Sequence, residues 1–185
     1  DAEFVWVIDP IDGTAPFIAG IPVYGSLISL AWKGKPFIGI IEHPATNDRW
    51  IGVTHKFATH NDQPAYVKSC DSLSNAFVTC SNPDFMSEIQ RLSFGRVKQI
   101  ASYVQYGGAC FAYGCLSSGK TDLAIDAGLQ AFDLFAPAAV ISGAGGIMTD
   151  WNGMPLTLSM HGDVIAAGDK RIHLEALKKL KEPDF

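Results

Sequence analysis

Between residues 22 and 53, three strand-length apolar runs follow one another with almost no chain between them. Residues 22–32 and 35–43 are separated by Lys33-Gly34, and residues 48–53 follow Pro44-Ala-Thr-Asn47. A parallel crossover needs a dozen or more residues, so connections this short permit only antiparallel neighbours. The spacing predicts a hairpin extended by a third antiparallel strand. Ahead of it, the β-branched run Phe4-Val-Trp-Val-Ile8 reads as a buried strand stopped at Asp9-Pro10. The polar stretch 54–74 reads as an exposed connection.

From residue 76 the pattern changes to helices alternating with short strands. Residues 76–80, 97–100, 121–126, 147–149 and 163–167 have strand character. Residues 83–92, 108–118 and 133–142 have helix character, with Pro83 suited to a first turn. Residues 169–180 form an amphipathic helix with Ile172, Ala176, Leu177 and Leu180 on one stripe and a basic last turn. Antiparallel strands followed by such alternation imply an α/β protein of layered sheets and helices. Residues 1–74 then carry the antiparallel sheet, and residues 75–185 the α/β half.

Hydrophobic residues make up 48% of the 185 and charged residues 18%, enough apolar material for a substantial core and too much for disorder. A net charge of −5, from 14 Lys+Arg against 19 Asp+Glu, argues against a nucleic-acid-binding surface. No apolar run reaches membrane-spanning length. Cys70, Cys80, Cys110 and Cys115 form no CxxC pair, so the expectation is free thiols in a reducing cytosol. His43, His55, His60, His161 and His173 are scattered and read as surface or loop residues, His173 as solvated.

The sharpest chemical signal is Asp9-Pro10-Ile11-Asp12-Gly13-Thr14. Hard divalent cations want oxygen ligands, and Asp9, Asp12 and the Ile11 carbonyl could supply them. The amides of Gly13 and Thr14 could hold a phosphate. The alternative is a simple turn, since Asp, Pro and Gly are all turn formers. A second cluster runs from Asp126 through Asp133 into Ser142-Gly-Ala-Gly-Gly146. Taken alone, Asp133 is an N-cap or a metal ligand and Asp126 an exposed strand-end acid.

Together, Trp6-Val-Ile-Asp-Pro-Ile-Asp-Gly-Thr14 and Asp126-Ala-Gly-Leu-Gln-Ala-Phe-Asp133 resemble the inositol monophosphatase superfamily of Mg²⁺-dependent, lithium-sensitive phosphatases. The resemblance covers nearly the whole chain. The wording of residues 20–30, 48–52, 106–113 and 149–153 is most similar to the histidinol-phosphate phosphatase branch. The resemblance implies an α/β/α/β/α sandwich and a phosphomonoesterase acting on a small phosphate ester. Its implied substrate is L-histidinol phosphate, with inositol 1-phosphate or another sugar or nucleotide phosphate as alternatives. It further implies two or three Mg²⁺ ions, a homodimer, and no nucleic-acid or membrane partner. Asp9, Ile11 (through its carbonyl), Asp12 and Asp133 are then metal ligands, and Gly13 and Thr14 hold phosphate. Asp9, Asp12 and Thr14 form the catalytic set. Gly108, Ala109 and Asp126, with Asp133, border the rest of the substrate.

Several positions depart from the resemblance. Ala109 stands where the histidinol-phosphate branch has an acid, Asp126 where Glu is usual, and Ala15 where a basic or polar residue often follows. The family's upstream Gly-Glu-Glu-type motif and long first helices have no counterpart before Asp9. The expectation is therefore an N-terminally truncated chain, inactive and poorly soluble alone.

Overall fold

The computed structural model describes residues 2–160 and 162–182. The chain order is β1 (Phe4–Asp12), α1 (Thr14–Ala19), β2 (Gly25–Trp32), β3 (Lys35–His43), β4 (Asp48–Val53), β5 (Phe57–His60) and β6 (Gln63–Pro64). Then come β7 (Phe77–Cys80), α2 (Glu88–Lys98), β8 (Tyr103–Tyr106), α3 (Ala109–Ser117), β9 (Leu123–Leu129) and α4 (Ala131–Gly143). The chain closes with β10 (Ile147–Asp150), β11 (Gly162–Ala167) and α5 (Lys170–Leu180). Strands β1 to β6 form one antiparallel sheet in sequence order, and the other five pair as β10-β11-β9-β7-β8. Within the second sheet β7 runs parallel to both β8 and β9.

The layers follow from which faces are apolar. Helices α3 and α4 lie between the sheets, where Leu27, Ile41 and Trp50 of the first meet Tyr113, Leu116, Val140 and Ile141. Gly39 and Gly52 are cross-strand partners on β3 and β4. A Cβ on Gly39 would lie 2.3 Å from the Ala136 carbonyl, and one on Gly52 2.3 Å from Val140 Cα. Only a side chain of this size lets α4 seat on the sheet. Helices α2 and α5 cover the far face of the second sheet through Phe94, Val97, Ile172 and Ala176. The result is an α/β layered sandwich: sheet, helices, sheet, helices.

The outer face of the first sheet carries two apolar rows read across the strands. One is Trp6, Leu30, Ile38, Val53 and Phe57, and the next begins Ile8, Ile28, Ile40 and Ile51. Trp6 is 65% exposed there, with Ile8 and Phe57 also exposed. Helices α3 and α4 leave this face bare.

Several sequence expectations are corrected. Strand β1 is a half-exposed edge strand, not a buried one, and it continues through Pro10 to Asp12, which an edge position tolerates because no inner neighbour needs the missing N–H. The stretch 54–74 contains β5 and β6 rather than loop alone. Residues 83–85 form a 3-10 turn, and the helix begins at Glu88 behind Ser87, whose hydroxyl accepts from Gln90 N while Gln90 Oε1 accepts from Ser87 N. Residues 97–100 end that helix, and the strand is Tyr103–Tyr106.

His43 and His173 are buried, not solvated. Thr149 Oγ1 gives its proton to the Asp150 carbonyl, so His173 Nε2, 2.9 Å away, is the donor in that contact. Its Nδ1 is left buried without a partner. The same logic makes His43 Nδ1 a donor to Thr46 Oγ1, which itself donates to Asp48. Burial pulls the pKa of His43 down and that of His173 to about 4. His161 lies outside the described residues. All four cysteines are free, and no helix among the described residues is long and apolar enough to cross a membrane.

Candidate metal centre and adjoining pocket

In a regular strand, residues three apart point to opposite faces. Strand β1 evades this with a bulge: Asp9 pairs with Leu27 and Asp12 with Gly25, so three steps on β1 match two on β2. Both carboxylates therefore fall on the inner side, the face of Leu27 and Gly25. The bulge is pinned by Ser26 Oγ donating to the Pro10 carbonyl at 2.7 Å and by Ile11 N donating to Asp9 Oδ1 at 3.0 Å. Asp12 Oδ2 accepts from Cys110 N at 2.6 Å, which ties the bulge to the start of α3.

Asp133 reaches the same place from α4. Its Oδ2 accepts from Gln130 N at 2.7 Å, so it closes its own helix start. One ligand atom from each of Asp9, Asp12 and Asp133 lies within 4.8 Å of the others. The N-cap is Gln130 rather than Asp133, which acts as the third helical residue of the capping box while also belonging to the acid cluster. Burial, then the neighbouring Asp12 and Asp9 charges, push Asp133 up to about 6 despite the Gln130 N–H. Burial also raises Asp12, against the Cys110 N–H that lowers it. None of the ion pairs among the described residues reaches the three. Half-buried, uncompensated carboxylates with an all-oxygen donor set fit a hard divalent cation. The Ile11 carbonyl is exposed beside them and accepts from Thr14 Oγ1 at 3.2 Å.

Gly13 turns the chain from β1 into α1 at φ 78°. A Cβ here would meet the Val23 carbonyl at 2.7 Å and the Ala109 Cβ at 3.0 Å, so the backbone of residues 23–24 and the Ala109 side chain close on this point. Gly107, Gly108 and Ala109 all have positive φ, a left-handed path that brings the start of α3 against Gly13.

Asp12, Gly13, Thr14, Gly108, Ala109 and Asp126 line one cavity of about 460 Å³. It opens beyond the C-terminal ends of the parallel strands β7 and β8, the edge where α/β sheets place ligands. Asp126 is buried, not the exposed strand-end acid its position suggested. Tyr113 Oη donates to its Oδ2 and Ser81 N to its Oδ1, each at 2.6 Å. Burial raises its pKa to about 6, against the lowering by those two donors. Sequence reasoning missed Ser81, Asn82, Phe85 and Leu129 in the lining. Ser81, Asn82 and Phe85 directly follow β7, which was the available signal for them, whereas Leu129 ends β9.

The sequence pattern of the inositol monophosphatase family matches residues 1–183. The chloroplastic bifunctional phosphatase IMPL2 of Arabidopsis thaliana is 41% identical over 97% of this chain. The chain spans 54% of that relative's length, about half. The histidinol-phosphatase of Mycobacterium tuberculosis is 30% identical, over 95% of this chain and 68% of its own. Among solved structures, an inositol monophosphatase from Zymomonas mobilis superposes with a TM-score of 0.95 at 37% identity. That match covers 98% of this chain and 72% of the other.

Proposed function

The chain belongs to the inositol monophosphatase family, and from that premise we propose that it forms the greater part of a Mg²⁺-dependent phosphomonoesterase. The observation that carries the reading is the convergence of Asp9 and Asp12 with Asp133, 121 positions beyond Asp12; of the three, Asp12 also lines the pocket. Asp9, Asp12, Asp133 and the Ile11 carbonyl hold the cations. Bound there, Mg²⁺ supplies Lewis acidity toward the phosphate and makes a nucleophile available from water near neutral pH. The amides of Gly13 and Thr14 receive the phosphate oxygens, a role that forbids a side chain at residue 13. Thr14 Oγ1, anchored on the Ile11 carbonyl, orients the attacking water. Water replaces the alcohol on phosphorus, and no side-chain nucleophile is needed.

Gly108, Ala109 and Asp126 receive the alcohol part of the substrate. The first substrate we propose is L-histidinol phosphate, supported by likeness to the Mycobacterium tuberculosis histidinol-phosphatase. One observation favours inositol 1-phosphate instead: residue 109 is alanine, with no acid to pair with an ammonium group. The proposal keeps a homodimer as the working assembly and a reducing compartment, the latter because the thiols are free.

The test is phosphate release by the complete protein in Mg²⁺ from L-histidinol phosphate, myo-inositol 1-phosphate and glycerol 2-phosphate. Turnover of the first above the other two supports the first reading. Preference for the inositol ester supports the second, and no Mg²⁺-dependent release from any ester refutes both.

A further inference from the structure

Beside the acid cluster, the pocket has one aromatic wall. At the end of β7 the chain makes the 3-10 turn Pro83–Phe85. Asn82 Oδ1 caps it, accepting from Asp84 N at 2.9 Å. On one side Ser81 N is held by Asp126. On the other, Met86 is buried in the core, and its carbonyl accepts from Arg91 at 2.8 Å. The turn is therefore clamped at both ends. Its Phe85 side chain is nonetheless 68% exposed and lines the same cavity as Asp12, Thr14 and Asp126.

A single exposed aromatic residue is ordinary on a protein surface. A ring on a clamped turn inside a concave pocket is placed for a ligand. The cavity is larger than a phosphate needs, and among the described residues no Lys, Arg or His lines it. Its buried end carries Asp126. That lining suits the uncharged or cationic end of a substrate, and an aromatic face favours another ring or a cation against it.

We propose that Phe85 is a specificity-determining residue that packs its ring against the face of a ring-bearing alcohol, an imidazole or a cyclitol, whose phosphate lies at Gly13 and Thr14. The proposal rests on the phosphatase reading and deepens it by naming the residue that selects for a ring in the alcohol.

The experiment compares wild type, Phe85→Ala and Phe85→Tyr in the complete protein. Affinity for histidinol phosphate, inositol 1-phosphate and the ringless glycerol 2-phosphate is measured by calorimetry in Ca²⁺, where turnover is not required. Kinetics in Mg²⁺ are measured alongside. Phe85→Ala should weaken binding of a ring-bearing ester, and raise its KM, about three- to tenfold. Its kcat and its affinity for glycerol 2-phosphate should stay within about twofold of wild type by the same scale, and Phe85→Tyr should restore the ring preference. Histidinol phosphate and inositol 1-phosphate, as separate arms, show which ring is taken. Equal losses for ringed and ringless esters, no loss, or no binding of either ringed ester would overturn the proposal. Ring-selective binding without turnover would instead count against the phosphatase reading alone.

Discussion

The phenol of Tyr113, on α3, donates to Asp126 Oδ2, on β9, at 2.6 Å inside the protein. Both side chains are nearly inaccessible to water. The contact joins the helix that begins at the pocket's Gly108-Ala109 corner to the strand that supplies its acid. A buried carboxylate held by two donors keeps one orientation, which makes Asp126 a fixed feature of the pocket.

Removing that phenol is the first test. Tyr113→Phe deletes a donor that lowers the Asp126 pKa, so the carboxyl should titrate higher than about 6. The acidic limb of the pH–kcat/KM profile should move upward. Stability in urea should fall by on the order of 1–3 kcal/mol. An unmoved acidic limb would show that the charge on Asp126 does not matter to the substrate.

Ala109→Asp should raise the ratio of turnover on histidinol phosphate to that on inositol phosphate by roughly tenfold, the scale of a charge-assisted hydrogen bond to an ammonium group. Residue 109 lines the pocket at φ 45°, a conformation Asp tolerates better than most residues. Parallel changes on both substrates would show that residue 109 does not face the alcohol.

Acid should weaken the fold through its buried histidines. In the unfolded chain His173 takes a proton near 6.5, and in the folded protein only at about 4. The unfolded state therefore binds more protons across that window, and stability drops as pH falls through it. Asp126, raised to about 6, acts in the opposite sense, because the folded state protonates first. A single substitution separates the two. Between pH 7 and 5, wild type should lose on the order of 2 kcal/mol more than His173→Gln, read from urea unfolding. Identical pH dependence in the two would contradict the assignment of a neutral buried imidazole.

The bare outer face of the first sheet predicts self-association. With Trp6, Ile8 and Phe57 exposed on it, the isolated 185-residue chain should sediment as oligomers or aggregates at micromolar concentration. Trp6→Lys should reduce the effect. A monodisperse monomer at 100 µM would show that the face needs no cover; that concentration is about a hundred times the micromolar threshold at which exposed apolar surface associates.

Much of this was legible in the residues themselves. The antiparallel strands could be read because two- to four-residue connections leave no other pairing. Asp9 and Asp12 could be picked out as candidate oxygen ligands because two acids at a strand's end are followed by Gly13, and the structure does bring them together with Asp133. The bulge that turns both inward could not, since it depends on Ser26 and Cys110 from distant segments. The strand misread at residues 97–100 arose from a β-branched residue in a last helical turn, although Ser87-x-x-Gln90 carried the start signal of that helix. His173 looked solvated because its neighbours in sequence are basic, whereas its partner Thr149 lies on another element. Phe85 carried no signal beyond its place after β7: its position in the pocket depends on Asp12, Gly108 and Asp126 from distant segments.

The central claim is that Asp9, Asp12 and Asp133 form one cation site that drives phosphoester hydrolysis. It is tested most directly by phosphate release from the complete protein as Mg²⁺ is titrated, for wild type, Asp9→Asn and Asp133→Asn. Hydrolysis should require Mg²⁺ in wild type and fall at least a hundredfold in each variant, roughly the loss of one preorganised charge-stabilising group, with circular dichroism unchanged. Near-normal hydrolysis by either variant at saturating Mg²⁺ would contradict the account.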